Sequence, residues 1–214
     1  MSDDNFSGHN LIKTLSKDLY KSADLADKPS ITDDQILALL EKETSYEQGF
    51  KALMSAYQER LYWHVRRMVD NHEDANDVIQ NVFIKVFRNI KKFKGDSKLY
   101  TWLYRIATNE SITFLNKRKK KATNSLDDEL STVAHQLTAD SYFDPDEAQR
   151  HLKAAIAILP EKQKAVFNLR YYEEMPYAEM AKVLDTTVGA LKASYHHGLK
   201  KVETYLKNVE HNSL

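Results

Sequence analysis

A chain of 214 residues with 42% hydrophobic content is large enough for one sizeable domain or two small ones with cores of their own. With no cysteine, the chain can form neither disulfides nor thiolate zinc sites; five glycines and four prolines supply too few turns for an all-β fold. No apolar run approaches the ~20 residues that cross a bilayer, and the polar, acidic Met1 to Asn10 is unlike a signal peptide, so a soluble cytoplasmic protein is expected.

The formal net charge of zero conceals a segregation along the chain. Met1 to Phe50 is acidic, Lys85 to Lys121 is strongly basic with only Asp96 and Glu110 opposing it, and Ala122 to Gln149 is acidic again. A polyanion is the natural partner of the middle segment.

Residues 1–30 lack a hydrophobic stripe and end at Pro29, the pattern of a flexible N-terminal extension. A short helix follows, N-capped by Thr32 or Asp33 and carrying Ile36, Leu37, Leu39 and Leu40. Tyr46, Phe50, Leu53, Met54, Tyr57, Leu61, Val65 and Met68 recur at steps of three and four, placing them on one face of a long helix. A break falls at Asp70, Asn71 and His72. Beyond it Ala75, Val78, Ile79, Val82, Phe83, Val86, Phe87 and Ile90 form the cleanest apolar stripe of the chain, which ends near Gly95. A further helix begins around Lys98 and buries Leu99, Trp102, Leu103, Ile106 and Ala107, so residues 31–121 are expected to form one helical bundle.

Residues 122–145 mix Asp, Glu, Ser and Thr without a sustained apolar period and are expected to be an acidic, flexible linker. In residues 146–214, Leu152, Ala155, Ile156 and Leu159 open a second helical unit; Pro160 suits the first turn of its next helix, lined by Ala165, Val166, Leu169 and Tyr172. Met175 and Pro176 break that helix. The closing stretch has the small Ala181 at a helix crossing, a turn at Asp185-Thr186-Thr187, and apolar Val188, Leu191 and Tyr195, which together fit a helix-turn-helix. Asp185 can take the left-handed conformation such a turn needs. The fold class expected is therefore all-α, as two small helical domains.

The stretch EDANDVIQNVFIKVFRNIKKFKGDSKLYTWLYRIATNESITFL, followed by NKRKKK, resembles region 2 of the extracytoplasmic-function (ECF) sigma factors of the sigma-70 family. LPEKQKAVFNLRYYEEMPYAEMAKVLDTTVGALKAS resembles their region 4, and the likeness runs from about Tyr46 to Leu206. Two matches in this order and at this separation are far more specific than a lone helix-turn-helix. The resemblance implies that Asp77, Gln80, Asn81 and Arg88 meet the beta-prime clamp helices of core RNA polymerase, with region 4 near the beta flap. It also implies that the loop Phe93 to Lys98 and the helix after it hold and melt the minus-ten element of promoter DNA.

Melting needs aromatic platforms beside cations that hold phosphates, because bases must be unstacked at a cost of a few kcal/mol per step. Lys92, Lys94, Lys98, Tyr100, Trp102, Tyr104, Arg105 and Asn109 supply those types. Trp102 shares a stripe with Leu99 and Ile106, which favours core packing, and leaves Tyr100 and Tyr104 as the better stacking candidates. The run Lys117 to Lys121 suits phosphate contact or simply a helix C-terminus, where the dipole favours cations. Contact with minus-thirty-five DNA falls to Thr187, Lys192, Ser194, His196, His197 and Lys200. Members of the family often carry Thr, Arg and Arg where this chain has Ala190, Ser194 and His197, so a weak grip there, or recruitment by another DNA-bound protein, is expected. An anti-sigma factor is a further partner the resemblance allows. In the family the linker threads toward the polymerase active centre; its composition here suits equally a charged tether.

No phosphate loop, nucleophile elbow or zinc-protease motif occurs, and His64, His72, His151, His196 and His197 lack zinc-ligand spacing, so neither an enzyme nor a metal or other cofactor is expected. His64, beside Val65 on a core helix, suits a buried histidine better than a ligand. The competing class is a stand-alone helix-turn-helix regulator acting as a dimer on a palindromic site.

Overall fold

The computed structural model describes residues 31–124 and 147–212; the N-terminal extension and nearly all of the acidic segment lie outside these. The described residues fold entirely into helices and turns: α1 (Asp33–Glu41), α2 (Tyr46–Val69), α3 (His72–Asn89), α4 (Leu99–Asn124), α5 (Glu147–Ala157), α6 (Glu161–Tyr171), α7 (Tyr177–Leu184) and α8 (Val188–Asn212). No described helix is long and apolar enough to cross a membrane.

Local chemistry sets the boundaries. Of the two candidate caps for α1, Thr32 is used: its hydroxyl oxygen accepts from the Gln35 backbone, and Gln35 reaches back to the Thr32 N–H at 2.9 Å, a reciprocal capping box. Asp33 instead accepts from the Tyr57 hydroxyl at 2.5 Å, which ties α1 across α2. Gly49 permits that approach, since a Cβ there would meet the Leu40 backbone nitrogen at 2.9 Å. The break between α2 and α3 falls at the expected triplet. Asp70 ends α2 in the left-handed region (φ 71°), and Asn71 caps α3 by accepting from the Asp74 N–H at 2.7 Å.

In α3 the stripe Ala75, Val78, Val82, Phe83 and Val86 is buried as its period demands. Phe87 departs from it. At the edge of the stripe, it is 52% exposed and packs edge-on against Tyr46 and Phe50 at the rim. Helix α4 starts at Leu99, with the Trp102 N–H bonded to the Lys98 carbonyl, and continues to Asn124, three residues past the expected end of the first unit. Arg118 helps hold its distal half to the bundle through Asp74 at 2.8 Å.

In the second unit Pro160 stands at the N-cap of α6, and Pro176 does the same for α7. Asp185 adopts the left-handed conformation expected of it (φ 50°, ψ 55°) and lets α7 turn into α8. Leu152, Ala155, Ile156, Leu159, Phe167 and Val202 make a core within this unit.

Periodicity did not foretell how the two units meet. Val166, Leu169, Met175, Met180 and Leu191 belong to the same continuous core as Leu61, Met68, Leu103 and Ala107. Helix α6 is consequently sandwiched: Lys164 to Leu169 are all buried, including the polar Lys164 and Asn168. Two helical domains are present, as expected, but they are packed face to face.

His64 is fully buried in α2, its Nε2 bonded to the Thr108 hydroxyl at 2.9 Å; Nδ1 has no hydrogen-bond partner among the described residues. It is thus a buried core histidine, as expected, though only half satisfied. Burial, aided by the charge of Arg67, depresses its pKa from 6.5 to about 3. The unfolded chain therefore binds the extra proton first. Stability from this group is complete above pH ~6.5 and falls by up to about 1.4 kcal/mol per unit as acid approaches the folded value. Denaturant melts across pH 4 to 7 should show this slope in the wild type and a shallower one in His64→Gln.

Candidate polymerase and nucleic-acid interfaces

Because α3 buries one stripe against α2 and α4, its opposite face is free. Asp77, Gln80, Asn81 and Arg88 are all exposed there, at positions i, i+3, i+4 and i+11 of one helical face. Ile84 lies at i+7 in the middle of that face and is 40% exposed. An isoleucine off the apolar stripe and inside a polar face is the sequence signal that marks it. With the rim aromatics Phe87, Tyr46 and Phe50, and Lys91 over the Tyr46 ring at 4.9 Å, it makes an apolar surface bordered by charge.

The turn after α3 presents Lys92, Lys94 and Lys98, all exposed, around Gly95 with its φ of 77°. On α4 the periodicity aligns Lys98, Trp102, Arg105 and Asn109, at i, i+4, i+7 and i+11, along one face. Arg105 and Asn109 are exposed, and Trp102 is half-buried, leaning on Phe93 with ring centroids 5.5 Å apart. Trp102 therefore stands at the boundary: packed from one side, aligned with the cations on the other.

Tyr100 and Tyr104 point elsewhere. Tyr100 is half-buried, with the Lys98 ammonium 5.7 Å from its ring. Tyr104 is not the exposed platform expected from its type. It is 1% exposed, its ring packs edge-on against His64, and its hydroxyl donates to Glu173 of the second unit. Burial and the Glu173 carboxylate push its pKa upward, so it stays a neutral donor. Of the basic run at the end of α4, Arg118 pairs with Asp74 and Lys119 with Glu161, while Lys117 and Lys120 are exposed.

On the helix-turn-helix, Thr187 serves as a cap, its hydroxyl oxygen accepting from the Ala190 N–H at 3.2 Å, which commits that oxygen to the fold. Lys192, His196, His197 and Lys200 are exposed on α8, and Ser194 is half-buried toward the neighbouring helices. Gly189, Lys192, Ala193, His196 and Lys200 share one face, so the outward surface of α8 is small and thinly charged. Glu179 on α7 accepts from the Thr101 hydroxyl at 2.7 Å; that bond, helped by Lys182 and Lys98, lowers its pKa. Most members of the three groups thus share a helix face within each group, while Lys92 and Lys94 stand on the turn before α4 and Tyr100, Tyr104, Ser194 and the hydroxyl oxygen of Thr187 fall outside those faces.

Comparison with known proteins separates the same two units. The family model Sigma-70 region 2 matches residues 53–121, and Sigma-70, region 4 matches residues 149–202. The chain is 31% identical over 173 residues to the ECF RNA polymerase sigma factor SigW of Bacillus subtilis, covering 76% of this chain and 91% of that one. It is 30% identical to the ECF RNA polymerase sigma-E factor of Haemophilus influenzae, covering 79% and 94%. Among solved structures, the sigma factor RpoE in complex with the anti-sigma factor NepR from Bartonella quintana superposes with a TM-score of 0.62 at 22% identity, covering 74% of this chain and 96% of that chain. CnrH in complex with the cytosolic domain of CnrY superposes with a TM-score of 0.59 at 18% identity, covering 83% and 99%.

Proposed function

The chain belongs to the ECF RNA polymerase sigma factors, and from that premise we propose how its surfaces divide the work of promoter recognition. The outer face of α3, with Asp77, Gln80, Ile84 and Arg88, docks on the beta-prime clamp helices of core polymerase. The turn bearing Lys92, Lys94 and Lys98 and the α4 face of Trp102, Arg105 and Asn109 take the melted minus-ten strand. Helix α8 lies in the major groove of the minus-thirty-five duplex, with region 4 near the beta flap. The protein performs no chemistry of its own and works in the cytoplasm, where polymerase and DNA meet.

The observation that carries this reading is the separation of surfaces on the first unit. One helix offers a mixed polar and apolar face suited to a protein. The next offers cations aligned with an aromatic ring, suited to a single strand. A stand-alone dimeric regulator would have no use for both. The test is reconstitution with core enzyme: the chain should co-purify with it and yield transcripts from a random promoter library that share a bipartite motif. A chain that neither associates with core nor opens supercoiled templates in its presence would end the proposal.

The minus-thirty-five grip is light. The exposed face of α8 offers Lys192 and Lys200 with His196 and His197, where guanine recognition and phosphate clamping call for Arg. His197→Arg should therefore raise holoenzyme affinity for the promoter and steepen the dependence of log affinity on log salt by about 0.9, the share of one added phosphate contact. An unchanged slope in a filter-binding series would place position 197 away from the backbone. A DNA-bound recruiter would compensate for the light grip in the native setting.

A further inference from the structure

The tip of helix α8 differs in chemistry from its flanks. The left-handed Asp185 and the Thr187 cap set the helix start at Val188, so Val188, Gly189 and Ala193 stand at its first, second and sixth positions. In a helix-turn-helix, residues at the N-terminal end of the second helix meet the base edges. Here all three are exposed, and none carries a hydrogen-bonding side chain. Val188 is a β-branched apolar side chain left 37% exposed. A Cβ built on Gly189 would meet nothing within 4 Å, so no described part of the chain fills the space in front of it. Polar groups nearby are few. The Thr187 hydroxyl oxygen accepts from the Ala190 N–H at 3.2 Å, and Leu191 is buried. Lys192 is the one polar side chain among residues 188–193, and its ammonium lies 6.0 Å from the centroid of the Tyr177 ring on α7. Asn, Gln and Arg, which read adenine and guanine through paired hydrogen bonds, do not occur between Val188 and Lys207.

Short side chains have a second effect. The major groove is about 12 Å wide and a helix with its side chains about 10–12 Å across, so a tip of Val, Gly and Ala lets the backbone sit deeper than long side chains would. At that depth the base group that matches an apolar surface is the C5-methyl of thymine. We propose that Val188 and Ala193, flanking Gly189 along the helix, read the minus-thirty-five duplex through thymine methyl groups, and that Val188 is the specificity-determining residue. The inference deepens the sigma-factor reading and rests on it, since that reading puts α8 in the groove.

Two kinds of contact then divide the work of the helix. His196, His197 and Lys200, exposed one to two turns farther along, hold the phosphate backbone, while the apolar tip selects the bases. A grip that is light in charge is thereby compatible with a selective one. Methyl contacts release no counterions, so the selectivity survives salt that weakens binding as a whole.

Deoxyuridine in place of thymidine removes that methyl and nothing else, which tests the proposal without altering the protein. Holoenzyme made from the full chain and core polymerase would first select promoters from a random library. Single thymidine-to-deoxyuridine exchanges on both strands of the selected minus-thirty-five element would then be measured by filter binding. One or two positions should lose about fourfold in affinity each, the worth of one buried methyl group, and exchanges in the spacer less than about twofold. The ratio should be the same at about 50 and 200 mM salt, although both affinities fall. Val188→Ser should bind thymidine and deoxyuridine alike at one of those positions. Guanine replaced by 7-deazaguanine, which lacks the N7 acceptor that Lys192 would use, should cost less than about twofold. A selected element without A·T pairs at minus-thirty-five, deoxyuridine tolerated at every position of it, discrimination retained in Val188→Ser, or a 7-deazaguanine loss larger than the deoxyuridine loss would each overturn the proposal. A chain that forms no holoenzyme sinks the sigma reading and this proposal with it; a holoenzyme that opens promoters yet ignores the methyls sinks the proposal alone.

Discussion

Ile84→Asp should weaken association with core polymerase by about thirtyfold or more, the scale of a 2 kcal/mol hot spot, while leaving the fold intact. The two halves of that expectation have separate causes. Ile84 is 40% exposed, opposite the stripe that Val78, Val82 and Val86 bury, so charging it disturbs no core and should shift stability by no more than about 0.5 kcal/mol. It also stands centrally among Asp77, Gln80, Asn81 and Arg88, where a partner surface would exclude water from it. An aspartate there would be desolvated without a counter-charge. Arg88→Glu, at the end of the face, should act more on the association rate and lose its effect at high salt. Phe87→Ala is the less clean probe, because its ring also packs against Tyr46 and Phe50 of the chain itself. Titrating labelled chain with core enzyme measures all three; equal affinity for wild type and Ile84→Asp would remove α3 from the polymerase interface.

What the sequence carries legibly is whatever is decided within a few residues. The α3 stripe, the break at Asp70 to His72, the prolines at the starts of α6 and α7 and the left-handed Asp185 are local matters of period, capping and backbone sterics. What it hides depends on a partner far along the chain. Tyr104 looks like a platform for bases until Glu173, 69 residues away, accepts its hydroxyl and His64 packs against its buried ring. Lys164 and Asn168 sit in an ordinary amphipathic pattern, and only the packing of α6 between two units explains their burial. Phe87 completes an apolar stripe on paper but falls at its edge, where Tyr46 and Phe50 at the start of α2 cover only part of its ring. Lys98, Trp102, Arg105 and Asn109 lay within reach of helical spacing, and the bulk of tryptophan, which fits a core as well as a base stack, concealed the alignment.

Trp102→Ala should reduce open-complex formation by roughly 1–3 kcal/mol, about five- to 150-fold, if one unpaired base stacks on that ring. The stack is favourable because Phe93 already supports the indole from its other side, fixing the ring before DNA arrives. The loss should be nearly independent of salt, since it removes a face and not a charge. Lys94→Ala/Lys98→Ala/Arg105→Ala should behave oppositely: three phosphate contacts to a single strand account for a log-log salt slope of about 2, which the triple variant would forfeit. Trp102→Phe separates function from packing, because it keeps an aromatic face and most of the buried area and should recover most of the opening rate. Permanganate footprinting of the minus-ten thymines, at two salt concentrations, measures these effects together. If Trp102→Ala opens promoters normally once its thermal stability is matched by lowering the temperature, the indole is a wedge of the core alone. The strand would then have to run along Lys98, Arg105 and Asn109 without an aromatic platform, a geometry that holds phosphates but gives bases nothing to leave the duplex for.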